Sequence, residues 1–236
     1  NKSLSVLDWS HITSVTESIR DEYYVMSVGN LDAIVAFDVG GEGLAWSFSS
    51  QSDMRNDFNF SSEEDKFYNP TGAYVIEDKQ TARNESRMIE LLVFDGGRNR
   101  PGSMRNFTGC YSRAIEYLLD LDKGVATVTW EFAYPYEAGE DGQAAARHHN
   151  LFVKEGGSVI RMADDANEQH RYFVGFTGTT YSQTNSSRRH AQILEVDGKG
   201  AVQTAVQVHR DFWDLTESGL YRRRYSMNSA PLHGAS

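Results

Sequence analysis

The chain has 236 residues, 39% of them apolar and 12% aromatic, which is enough to bury a core in one or two domains. A net charge of −10 argues against a nucleic-acid partner, whose phosphates need a concentrated basic surface. No apolar run approaches the roughly 18–20 residues of a membrane-spanning helix, and the single cysteine, Cys110, excludes an internal disulfide framework.

Taken in order, the chain reads as short strands separated by turns, with little helical periodicity. A strand pair over about 11–16 and 22–28 is followed by a hairpin, Ala33 to Asp38 and Gly43 to Phe48, closed by a glycine-rich turn. A charged loop, 49–70, leads to a second pair, 72–77 with 87–95, and a second hairpin, Arg113 to Asp122 and Val125 to Phe132. The third pair, 157–162 with 171–177, precedes a third hairpin, His190 to Asp197 and Ala201 to Val208. Each hairpin turn sets Asp at or near the end of its first strand and supplies glycine for positive φ. The second strands alternate Leu44, Trp46, Phe48 and Val128, Trp130, Phe132, and Trp46 lies 84 residues from Trp130.

The unit is therefore four antiparallel strands, and the expected fold is all-β: propeller blades over about 8–50, 70–134 and 156–210, with a further blade starting at 220–227. A β-sandwich is the competing architecture, since its strands also alternate between turns. Propellers close with about four to eight blades. Three blades thus imply neighbours from a longer parent chain, a second chain or self-association.

Five of the asparagines, Asn1, Asn59, Asn84, Asn106 and Asn185, stand in N-x-S/T sequons, the last four in expected loops. They point to a glycosylated, secreted protein. Two basic clusters, Arg188-Arg189-His190 and Arg222-Arg223-Arg224, read either as ion-paired strand residues or, for Arg222 and Arg224, as an anion site. No motif for a cofactor or a metal is present, and none is expected.

The motifs Asp8-Trp-Ser-His-Ile-Thr-Ser-Val15, Leu92-Val-Phe-Asp-Gly-Gly97, Tyr111-Ser-Arg-Ala-Ile-Glu-Tyr117, Val128 to Phe132, Gly157 to Arg161 and Phe173 to Phe176 occur in an order that resembles the arylsulfotransferases. The resemblance implies the later blades of a six-bladed propeller, about half the ring. Its implied activity is cofactor-free transfer of a sulfuryl group from an aryl sulfate to a phenol through a sulfohistidine. It implies His11 as an active-site histidine and Arg113 as the cation that holds sulfuryl oxygens. Two family histidines fall on other residues, one on Pro70-Thr71 and the nucleophile near Thr180 or Tyr181; His190 is the nearest histidine to the second gap. Each retained residue also has a structural reading, His11 as a hydrogen-bonded turn histidine and Arg113 as an inter-blade salt bridge. The replacements favour an impaired or non-catalytic member with a structural, adhesion or assembly role, and an active transferase is the alternative.

Overall fold

Period-two runs rich in Val, Ile, Leu and aromatic residues favour strands over helices, and the computed structural model is built from them. It describes residues 8–18, 22–41, 43–80, 86–98, 100–101, 110–134, 152–153, 156–162, 170–180, 189–209, 213–215 and 221–223. The first sheet sets β1 (Ile12–Glu17), β2 (Tyr23–Val28), β3 (Ala33–Asp38) and β4 (Leu44–Ser49) side by side, each antiparallel to the next. Next in the chain comes the two-residue strand β5 (Asn59–Phe60). The second sheet orders β6 (Pro70–Gln80), β7 (Arg87–Asp95), β8 (Arg113–Asp120) and β9 (Val125–Phe132), and β5 joins it in parallel along β9. The third repeats the pattern with β10 (Ser158–Met162), β11 (Arg171–Thr180), β12 (Arg189–Asp197) and β13 (Val202–His209). Past it, β14 (Trp213–Leu215) pairs with β15 (Tyr221–Arg223) as an antiparallel ribbon.

Each unit closes its own sheet, whereas a sandwich would exchange strands between two. The sheets are propeller blades stacked face to face. Tyr23, Val25, Trp46 and Phe48 of the first share one core with Val75, Ile89, Leu91 and Tyr117 of the second. The Phe48 ring stacks on Phe60 at 4.6 Å between centroids and meets Phe67 and Tyr117 edge-on, each at 5.1 Å. Leu92, Phe94 and Trp130 face the other way, onto Val159, Tyr172, Val174 and Phe176 of the third sheet. Trp130 lies flat on Tyr172, with centroids 3.7 Å apart.

The position of a sheet in the stack explains its sequence pattern. The middle sheet is covered on both faces, so β7 reads Ile-Glu-Leu-Leu-Val-Phe as a nearly continuous apolar run. The end sheets are covered on one face only among the described residues. Their outer faces expose Val15 (57%), Tyr24 and Phe37 at one end, and Ile160 (58%), Met162 and Ile193 at the other.

The innermost strands are laced together by hydroxyls. Thr13 and Thr16 of β1 donate to the carbonyls of Pro70 and Ala73 on β6, both at 2.9 Å. Thr71 of β6 donates in turn to the Gly156 carbonyl at 3.0 Å, just ahead of β10. Thr71→Val removes that inter-blade bond and preserves shape; chemical denaturation should then show a loss of about 1 kcal/mol.

Asn59 and Phe60, ahead of residue 70, also pair into the second sheet. Asn59 accordingly lies in a short edge strand rather than a loop, where its exposed side chain donates to the Gly124 carbonyl at 3.3 Å. Asn1, Asn84, Asn106 and Asn185 lie outside the described residues.

Candidate functional site

The candidate site lies where the chain leads into the innermost strands of the first two blades. Ahead of β1, Asp8 turns the chain back on itself: one carboxylate oxygen accepts the His11 backbone N–H at 2.9 Å, the other meets imidazole Nδ1 at 2.5 Å. A short carboxylate can close such a local side-chain-to-backbone bond three residues on, as it does at a helix N-cap. His11 takes a left-handed φ of 53°. Asn30 fixes the turn from across the hairpin, with Nδ2 on the Asp8 carbonyl at 2.7 Å and its backbone N–H on Ser10 at 3.2 Å. Both members of the pair are partly open to solvent, and the hydrogen bond from His11 holds the Asp8 carboxyl below its ordinary range.

The second blade repeats this lead-in with a different side chain. Asn69 adopts a left-handed φ of 52°, and its carbonyl accepts Gly96 N–H at 3.2 Å, as the His11 carbonyl accepts Gly29 N–H at 2.9 Å. In the third blade the residue before the innermost strand is Gly157, again left-handed at 104°. The structural counterpart of His11 is thus Asn69. Thr71, on which alignment sets the missing histidine, lies two residues further along, inside β6.

Asn69 is pinned from both sides. Buried Asp32 accepts its backbone N–H at 2.6 Å, and buried Asp95 accepts the N–H of Tyr68 at 2.9 Å. Its side-chain carbonyl is buried and has no hydrogen-bond partner. That oxygen and the Cδ2 edge of His11 flank the same side of Gly29, where a Cβ would sit 2.7 Å from one and 3.4 Å from the other. His11 and Asn69 are therefore neighbours, one imidazole and one amide.

Arg113 is not free to hold a ligand. The residue is only 2% exposed, and its Nε donates to Asp95 at 2.9 Å, Nη1 to Glu131 at 3.0 Å, and Nη2 to the carbonyls of Glu64 and Lys66 at 2.9 and 2.7 Å. Burial works against its charge, but Asp95, Tyr117 and Glu131 outweigh that cost and keep it protonated. Its carboxylate partners Asp95 and Glu131 stand in the same sheet as Arg113, so these ion pairs lie within the second blade and not between blades. A second cation shares the same carboxylate: Arg100 donates to Asp95 at 2.5 Å and lies over the rings of Tyr111 and Tyr68, 4.1 and 5.2 Å from their centroids.

The remaining candidates stand elsewhere. His190 belongs to β12, opposite Thr179 and His209, remote in the strand order from His11. Arg222 belongs to β15, opposite Asp214, while Arg224 and Tyr181 lie outside the described residues. Among the described residues no group of three or more His, Cys, Asp or Glu side chains is arranged to hold a metal ion, and no helix is long and apolar enough to cross a membrane.

Of the residues gathered here the sequence singled out His11, through resemblance, and not Asp8, Asn69, Asp95 or Arg100. An Asp three residues before a strand-leading histidine was the available signal for Asp8. Nothing local marked Asn69, because its equivalence to His11 appears only when the two lead-ins are superposed. Among known proteins, the family model described as arylsulfotransferase (ASST) matches residues 1–212. No curated protein matches the chain significantly.

Proposed function

We propose, starting from the fact that the chain belongs to the arylsulfotransferase family, that it is a secreted, glycosylated propeller in which the sulfuryl-transfer centre is impaired or non-catalytic. Its role is then assembly or adhesion. The observation that carries this reading is the pair of lead-ins, His11 in one blade and Asn69 at the matching place in the next. Transfer through a sulfohistidine needs an imidazole nucleophile, an acid for the departing phenolate and a cation on the sulfuryl oxygens. An amide supplies neither nucleophile nor acid, and the Arg113 guanidinium already meets four protein acceptors.

The exposed apolar faces of the two end sheets support a partner that continues the stack, whether further blades of a longer parent chain, a second chain or another copy. The exposed Asn59 in its sequon supports glycosylation on the outer edge of the second blade. A second reading, active transfer of a sulfuryl group from an aryl sulfate to a phenol, rests on the Asp8–His11 pair, which keeps one oriented imidazole.

The test is an assay on the longest natural polypeptide that contains this chain, with an aryl sulfate donor and a phenol acceptor. No acceptor sulfation above a heat-denatured control is expected. Turnover that disappears in His11→Ala would overturn the proposal in favour of the second reading.

A further inference from the structure

We infer that Asp8 is a positioning residue for His11, holding the imidazole in its Nδ1–H form so that Nε2 carries the lone pair. A carboxylate only accepts hydrogen bonds, so a ring nitrogen that faces one at 2.5 Å must be the nitrogen that bears the proton. The backbone N–H of His11 occupies the other carboxylate oxygen at 2.9 Å, and the two bonds together fix both the turn and the ring. Three further bonds restrain the turn: Asn30 Nδ2 to the Asp8 carbonyl, Asn30 N–H to Ser10, and Gly29 N–H to His11. The neighbours that flank the ring on its Cδ2 side, Gly29 and Asn69, are uncharged, so Asp8 is the charged group that sets the proton's place.

The consequence is a choice of ligand chemistry. In neutral His11, Nε2 accepts a hydrogen bond or a proton, which suits a hydroxyl-bearing ligand; it donates nothing to the oxygens of a sulfate and can meet that group only as a nucleophile on sulfur. A histidine donates its second N–H to a carboxylate in the same way when its remaining nitrogen does chemistry. What this orientation means for ligands rests on the reading of His11 as the surviving imidazole of a transfer centre. The orientation itself does not.

The experiment is a two-bond ¹H–¹⁵N correlation spectrum of the ¹⁵N-labelled chain, recorded above the ordinary titration range of imidazole. The His11 signals are assigned by their loss in His11→Gln, since the chain has seven histidines. The wild-type chain should show His11 mainly as the Nδ1–H tautomer. Asp8→Ser keeps one acceptor for the backbone N–H and removes the second, so the ratio should move severalfold toward the Nε2–H form that free imidazole favours. The spectra of the other six histidines, unchanged, report that the fold is intact. A wild-type His11 found mainly as Nε2–H, or a ratio that Asp8→Ser leaves unmoved, overturns the inference. Sulfuryl turnover does not enter this readout, so its presence or absence bears on the proposed function alone.

Discussion

Asp95→Ala should lower the stability of the chain by about 3–5 kcal/mol, read as a large drop in urea midpoint by tryptophan fluorescence. The carboxylate is fully buried and accepts four donors: the N–H groups of Tyr68 and Gly97 at 2.9 Å each, Arg113 Nε at 2.9 Å and Arg100 Nη2 at 2.5 Å. Its removal leaves two guanidiniums facing each other without the carboxylate they share, and strands two amides. Glu131, which still meets Arg113, is partly exposed and compensates one of the two guanidiniums only in part. Asp95→Asn keeps the shape and one acceptor oxygen, so its loss should be intermediate. A change under about 1 kcal/mol for Asp95→Ala would mean that the network is not what holds the lead-in of the second blade.

Gly97→Ala should cost about 2–5 kcal/mol in the same assay, combining overpacking with a left-handed backbone. Gly97 has φ 73°, and a Cβ there would stand 1.8 Å from the carbonyl oxygen of Tyr111, a backbone atom with no rotamer to escape into. Gly41 gives the control, with nearly the same φ of 74° and nothing within 4 Å of its Cβ position. Gly41→Ala should therefore lose only the conformational part, about 1 kcal/mol. Equal losses at the two positions would show that the close approach of the chain at Tyr111 is not a constraint.

Much of the fold was legible because alternation reports burial directly. The strand pairs and hairpins read from Ile-Val-Ala-Phe, Val-Thr-Trp-Glu-Phe and Ile-Leu-Glu-Val fall on the observed strands to within a few residues. What alternation does not carry is contact between units. β5 is two residues long, too short for any period, and it exists because the edge of β9 accepts it in parallel. The site was less legible for the same reason. His11 was read through resemblance, yet its neighbour Asn69 is 58 positions away and is defined by a left-handed φ and one carbonyl bond. Arg113 was read through resemblance as an anion holder, and only the three-dimensional arrangement of Asp95, Glu131 and the Glu64 and Lys66 carbonyls shows its donors engaged inside the protein.

Whether a histidine of this chain accepts a sulfuryl group is read from intact-mass spectrometry of the acid-free quenched protein after exposure to an aryl sulfate donor without acceptor. A sulfohistidine intermediate adds the mass of one sulfuryl group and accumulates when no phenol is present to discharge it. An impaired or non-catalytic centre leaves the mass of the wild-type chain in its natural polypeptide unchanged. A covalent adduct of one sulfuryl group, mapped by peptide fragmentation to a histidine of this chain, would contradict it.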